Sequence, residues 1–321
     1  MVLDRLVNPQ ELVKKPHLAI PIGYIFVSIA FFSTSIVFPS EYSIVVIAFT
    51  TMLLIPYVIK IFELDELNID LGELKISGDL GREELEVWVR KCLRDGYTPE
   101  QIKKSLIENN LDKGILLLYH IKTLSEIKED YIKKSNFFTR HSRIIAFYFH
   151  LFLGMFMAFL MVYMTSQPEY RNLVFKNQMD LIYGPGGYFQ IPTALQAIVL
   201  NNLKIMFLCV LLSLFYGAGA LLILTYNASI ASVLYGGFLE NAISGGSLMV
   251  IGAYLPHTTI EIMAYLFATV SGGILSKGIA NAENRGFRFL MADGLKFLVA
   301  AVLLVIIGGI VEVTVPRWLL S

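Results

Sequence analysis

The chain has 321 residues, of which 55% are hydrophobic and 16% are charged. Soluble domains carry about 25% charged residues, so this composition indicates a membrane protein. The formal net charge is zero, which argues against a nucleic-acid partner, since such a partner would require a strongly basic face.

Residues 1–63 are predicted to form a transmembrane hairpin. Apolar runs cover Ile20–Phe38 and Ile44–Phe62, and a helix needs about 20 apolar residues to span a bilayer. The link Pro39–Tyr42 is so short that the two helices are expected to run antiparallel.

Residues 64–142 are polar and are predicted to form a small cytoplasmic helical module. Apolar residues at helical spacing cover Glu83–Arg94, and a further helix is expected over Ile115–Ile132. Between them, Thr98 with Pro99 is typical of a helix start. We expect a docking or spacing role, because the two histidines of this module have no acid or cysteine partner at a catalytic spacing.

Residues 143–321 are predicted to form a transmembrane core. Its apolar runs are Ile144–Thr165, Leu203–Tyr226, Ala228–Ala242, Thr258–Ser276 and Leu290–Val313. The piece between Gly245 and Pro256 is apolar but too short to span, which predicts a re-entrant half-helix. The expected fold class is therefore all-α: a polytopic membrane helix bundle of about seven spans plus one re-entrant half-helix, with the cytoplasmic module.

Basic residues in the short flanks predict the orientation. They precede the first and third spans and lie between the sixth and seventh, for example at Lys14, Arg143 and Lys277. With these ends in the cytoplasm, the amino terminus and residues 64–142 lie inside and the carboxyl terminus lies outside. The expected location is the cell membrane, with multiple crossings.

Several short blocks of the core carry a family resemblance. They are Leu200-Asn201-Asn202-Leu203-Lys204, the span with Tyr216-Gly217-Ala218-Gly219 that ends at Tyr226-Asn227-Ala228, Leu255-Pro256-His257 followed by Glu261, and Ser271-Gly272-Gly273. From about residue 143 to the C-terminus the chain resembles the stage II sporulation protein M family of integral membrane proteins. At two positions where the family typically has glycine, this chain has Ala228 and Thr258.

The resemblance implies a role without an established chemistry. The namesake of the family acts during engulfment in spore formers, in a membrane complex with cell-wall hydrolases, and looks like a scaffold or membrane-remodelling partner. The partners that we expect are membrane lipids, other membrane proteins and a second copy of the chain, and no cofactor is predicted.

A set of polar side chains is predicted to gather in the outer half of the core. In the seven-span arrangement they lie at the outer ends of the fourth, fifth and sixth spans, and they are Asn201, Asn202, Glu240, Asn241, His257 and Glu261. Polar side chains are costly in hydrocarbon, so they are expected to face a protein interior or a cavity. Glu312, near the outer end of the last span, is a further candidate whose direction the sequence does not define.

Three uses of this predicted cluster stay open. Its members tie three helices together by hydrogen bonds, or they line a cavity for an ion, a proton or a small substrate. In the third use, His257, Glu261 and Glu240 hold a metal ion in an intramembrane hydrolase. The leading hypothesis is a non-enzymatic component of a membrane complex, acting as a remodelling, scaffold or transport subunit.

Overall fold

The computed structural model describes residues 11–12, 15–38, 42–67, 136–184, 195–216, 218–280 and 287–320. The chain divides into two compact units, one of Met1–Asp65 with His141–Ser321 and one of Glu66–Arg140. The helices predicted within residues 64–132 lie outside the described residues.

Every regular element among the described residues is helical, so the all-α fold class is confirmed. A 3₁₀ turn at Pro16–Leu18 leads into the first α-helix. The α-helices are α1 (Ala19–Val37), α2 (Tyr42–Leu67), α3 (Phe137–Thr165), α4 (Pro168–Val174), α5 (Lys176–Tyr183), α6 (Leu195–Tyr216), α7 (Leu221–Ile243), α8 (Met249–Ala280) and α9 (Phe287–Leu320).

Seven helices, α1–α3 and α6–α9, are long and apolar enough to cross a membrane. The short helices α4 and α5 lie in sequence between the third and fourth of these spans. The prediction of a polytopic helix bundle with about seven spans is therefore confirmed within the part of the chain that the structure describes.

Small residues allow close approach between α1 and α3. A Cβ atom at Gly154 would lie 2.1 Å from the carbonyl oxygen of Ile20, and one at Gly23 would lie 2.6 Å from that of Leu151. Both are far inside van der Waals contact. The two helices thus pack backbone against backbone, as small residues permit in membrane bundles.

The prediction of a re-entrant half-helix between Gly245 and Pro256 is wrong. Helix α8 runs without a break over Met249–Ala280, 32 residues, and contains Pro256. The chain turns instead at Gly245, whose φ of 97° favours glycine. Proline was interpreted as a boundary, but transmembrane helices tolerate it because surrounding groups compensate the freed backbone carbonyl.

The limits of the fourth and fifth spans also differ from the prediction. Helix α6 begins at Leu195 and α7 at Leu221, so both start earlier in the chain than the apolar runs suggested. The chain turns near Gly219, where glycines disfavour a continuous helix. The Asn227 block, expected at the end of the fourth span, therefore lies inside α7.

Candidate functional site

A cavity of about 120 Å³ lies among α5, α6, α7 and α8. Its volume accommodates several water molecules or one small polar solute. Four of the six predicted site residues line it, namely Asn201, Asn202, His257 and Glu261. Other lining residues include Leu181 and Ile182 of α5, Asn227 of α7, and Tyr254, Thr258 and Tyr265 of α8.

His257 lines this cavity and is almost fully enclosed, with 4% of its surface exposed. Its Nδ1 lies 3.2 Å from the carbonyl oxygen of Gly308 on α9. Its Nε2 lies 3.1 Å from Oε2 of Glu261 and 3.4 Å from Oε2 of Glu312. The side chain of Glu312 is 7% exposed, so α9 brings a second enclosed carboxyl group to the imidazole.

These contacts determine where hydrogen atoms lie in the cluster formed by His257, Glu261 and Glu312. A carbonyl oxygen only accepts hydrogen bonds, so Nδ1 of His257 carries a hydrogen. A second proton is needed between Nε2 and the facing carboxyl groups, because their lone pairs would otherwise repel. The remaining oxygen of Glu261 accepts a hydrogen bond of 2.5 Å from the Tyr265 hydroxyl.

The two asparagines of α6 occupy different environments. Asn202 is 6% exposed, while Asn201 is exposed. No described residue forms a hydrogen bond with the Asn202 side-chain amide, although it lines the cavity. A buried amide without a protein partner costs about 1–3 kcal/mol, so water or a bound solute is its natural partner.

Asn227 is a cavity residue whose place was not predicted. Its Nδ2 donates to the Ile223 carbonyl oxygen at 2.8 Å, within α7. The remaining polar atom of this side chain is Oδ1, which accepts hydrogen bonds. The signal that could have identified it is its polarity inside an apolar stretch, but the residue was assigned to a turn.

Glu240 and Asn241 do not line the cavity. They line a separate, more open hollow at the C-terminal end of α7, together with Ser244. Glu240 Oε1 accepts a hydrogen bond from Arg171 of α4, and its Oε2 accepts one from the Tyr163 hydroxyl at 3.5 Å. Because Glu240 is held there, the predicted metal set of His257, Glu261 and Glu240 is not assembled.

The described residues contain no group of three or more His, Cys, Asp or Glu side chains placed to hold a metal ion.

Arg171 attaches α4 to the ends of α3 and α7. Its guanidinium lies 4.5 Å from the ring centroid of Tyr163, which is a cation–π contact. The same group forms an ion pair with Glu240. Burial lowers the pKa of Arg171, but the hydrogen bonds to Glu240 and Tyr163 outweigh burial and leave that pKa above its usual range. The side chain is therefore a fixed positive charge at this position.

Two tyrosines and a glutamine help to hold α4 and α5 in place. Burial and the hydrogen bond with Tyr42 raise the pKa of Tyr170. Burial, with smaller contributions from Tyr163 and Glu240, raises the pKa of Tyr183 to about 12. Gln178, which is 1% exposed, accepts from the Ser43 hydroxyl and donates to Ser229. Helix α5 is thus fixed beside the cavity that it helps to line.

A second polar contact lies near the other end of α9. Asp293, 3% exposed, is 3.5 Å from Lys296 and 3.4 Å from Nε2 of His141 on α3. His141, which has no acid at a catalytic spacing in the sequence, thus has an acidic neighbour on a distant helix. Sequence spacing could not reveal a partner on a distant helix.

A comparison with family models matches residues 144–316 to Stage II sporulation protein M. Neither the curated proteins nor the solved structures provide a match to the chain. The matched region covers more than half of the chain and includes every helix that lines the cavity. The chain therefore belongs to the stage II sporulation protein M family of membrane proteins.

Proposed function

We propose that the protein is a non-enzymatic transport subunit of a membrane complex, and that a small polar solute binds in its cavity. The observation that carries this proposal is the environment of Asn202. Its amide is almost fully enclosed, lines the cavity and has no hydrogen-bond partner among the described residues. A purely structural tie between helices would use that amide.

The neighbouring groups support a binding site as well. The cavity wall is mostly apolar and carries a few convergent polar groups, which is the general composition of sites for small ligands. The polar groups come from α6, α7 and α8, so a movement of any one helix would change the cavity. Coupling of binding to helix movement is the physical requirement for a transport subunit.

Cysteine accessibility tests whether the cavity is open to water. Cys92 and Cys209 are first replaced, then Asn202→Cys is introduced and treated with 2-aminoethyl methanethiosulfonate in nanodiscs. We expect rapid labelling, because thiol modification requires water around the sulfur. Phe207→Cys, on the same helix with 55% of the native side chain exposed and outside the cavity, is the matched lipid-facing control and should label slowly.

Slow labelling at both positions would contradict the proposed binding cavity and would favour a hydrogen-bonded tie between helices. The complex itself is tested by purification in a mild detergent. Co-purification of a second membrane protein at constant stoichiometry is the expected result, and a particle that contains this chain alone would contradict that part of the proposal.

A further inference from the structure

We propose that the solute bound in the cavity is a small uncharged carboxamide, held by the side-chain amides of Asn202 and Asn227. This inference rests on the proposed function, because it requires that the cavity binds a solute from water. It assigns the chemical class of that solute, which the proposed function leaves open.

Four polar side chains of α8 that line the cavity already have protein partners. Glu261 accepts a hydrogen bond at Oε1 from the Tyr265 hydroxyl, and its Oε2 faces Nε2 of His257. Nδ1 of His257 lies against the carbonyl oxygen of Gly308. The Thr258 hydroxyl donates to a backbone carbonyl oxygen of its own helix. These groups are therefore engaged before any solute binds.

These contacts disfavour a charged solute. A cation would have to compete with His257 and Tyr265 for the Glu261 carboxyl group. An anion would meet that carboxyl group, and the described lining contains no lysine or arginine to attract it. A charge without a partner is costly among membrane helices. An uncharged solute avoids that cost.

Two asparagines provide the hydrogen-bonding groups that remain. Asn202 lines the cavity and is 6% exposed, and no described residue bonds its amide, so its N–H donors and its carbonyl oxygen are both available. Asn227 adds the acceptor Oδ1, because its Nδ2 donates to the Ile223 carbonyl oxygen. A solute that satisfies these groups needs one acceptor for Asn202 and donors for two amide oxygens.

A primary carboxamide meets these requirements with one planar group. Its carbonyl oxygen accepts from Nδ2 of Asn202, and its two N–H groups donate to the oxygens of Asn202 and Asn227. A carboxylate has acceptors alone, an amidinium has donors alone, and a hydroxyl carries its donor and acceptor on a single atom. The apolar part of the wall, which includes Ile205, Ile230 and Ile262, suits a short alkyl group on the carboxamide. The cavity volume of about 120 Å³ restricts that group to a few carbon atoms.

Saturation-transfer difference NMR on the purified full-length protein in phosphatidylcholine nanodiscs tests the chemical class. Acetamide, acetate, acetamidinium and 2-propanol each carry a methyl group and have nearly the same size, and empty nanodiscs give the background. We expect saturable binding of acetamide with a Kd on the order of 1 mM, the range open to so small a ligand. The other three ligands should bind at least about tenfold more weakly, since each leaves a buried donor or acceptor unpaired.

Two variants and a control assign the binding to the cavity. Asn202→Leu should weaken acetamide binding about tenfold or more, because it removes the donor and the acceptor at similar size. Asn202→Asp, measured at pH 8, should raise the ratio of acetamidinium to acetamide binding at least about tenfold, because a carboxylate pairs with a group that has donors alone. Asn241→Asp makes the same chemical change on α7, outside the cavity, and should leave that ratio unchanged. If neither Asn202 variant folds, the order of the ligands on the wild-type protein still decides.

The outcomes separate this inference from the proposed function. If Asn202→Cys labels rapidly but acetamide gives no saturable signal, the carboxamide class is wrong and the solute-binding cavity stands. Binding of acetate, acetamidinium or 2-propanol as tight as that of acetamide would likewise overturn the class, and so would an unchanged ratio in Asn202→Asp. If Asn202→Cys does not label, both proposals fall together.

Discussion

Gly236 determines how closely α3 and α7 approach beside the Arg171–Glu240 contact. A Cβ atom at this position would lie 2.3 Å from Cδ1 of the Tyr163 ring. That ring is 4% exposed, with Arg171 against it and the ring of Phe175 at 5.7 Å. The ring has no space into which it can move, so the glycine is required by packing.

We therefore expect Gly236→Ala to destabilise the protein by about 1–3 kcal/mol through overpacking. Gly252→Ala is the matched control, because a Cβ atom there meets nothing within 4 Å. In that helical position alanine should be neutral or stabilising, by up to about 1 kcal/mol. Thermal unfolding of the two variants in the same detergent measures the difference, and equal melting temperatures would contradict the packing argument.

At the scale of single residues, polarity inside apolar runs predicted His257, Glu261 and Asn202 as candidates, and the structure places all three at one cavity. Polarity did not indicate which side chains meet. Glu240 was grouped with them by its expected depth in the membrane, but Arg171 holds it elsewhere. A charged partner on a different helix leaves no mark in local spacing, and the same reason hid the contact between His141 and Asp293.

Helix α5 is fixed by a buried amide, although it is only eight residues long. The Ser43 hydroxyl of α2 donates to Gln178 Oε1 at 2.6 Å, and Gln178 Nε2 donates to the Ser229 hydroxyl of α7 at 3.0 Å. Leu181 and Ile182, three and four residues further along the helix, line the cavity. The position of one side of the cavity thus depends on a bridge between two transmembrane helices.

Replacement of Gln178 by alanine should release that bridge. Two interhelical hydrogen bonds of about 0.6 kcal/mol each give a loss of roughly 1 kcal/mol in the free energy of unfolding. The same variant should speed labelling of Asn202→Cys, since α5 is no longer held beside the cavity. Asp180→Ala, at an exposed position of the same helix, is the control and should change neither quantity. An unchanged labelling rate in Gln178→Ala would show that other contacts hold α5.

At the scale of elements, hydropathy predicted the number of spans but not their limits. Pro256 suggested a boundary because proline interrupts helices in water. In α8 it lies inside a helix of 32 residues, so the rule for soluble helices did not apply. In α6 the asparagines were interpreted as the start of the span, whereas the helix begins at Leu195 and only one of the two is buried.

Across the whole molecule, α9 connects two enclosed polar contacts. Asp293 near its beginning meets His141 of α3, and Glu312 near its end meets His257 of α8. Between them α9 packs closely on α8, where the Ser271 hydroxyl donates to the Gly294 carbonyl oxygen at 2.7 Å. A shift of α9 relative to α8 would therefore change the surroundings of both carboxyl groups at once, which is how binding in the cavity could affect the opposite end of the bundle.

The arrangement across the membrane is the last consequence that can be tested. If the seven candidate helices are all the crossings, the two termini lie on opposite sides, and the basic flanks predict a cytoplasmic amino terminus with residues 64–142. Native Cys92 should then resist a membrane-impermeant maleimide in intact cells and react after permeabilisation. A cysteine introduced as Gln190→Cys, between α5 and α6, should react in intact cells. The native thiol of Cys209 is buried in α6, and Cys209→Ala removes it as a second source of signal. The opposite pattern would invert the topology.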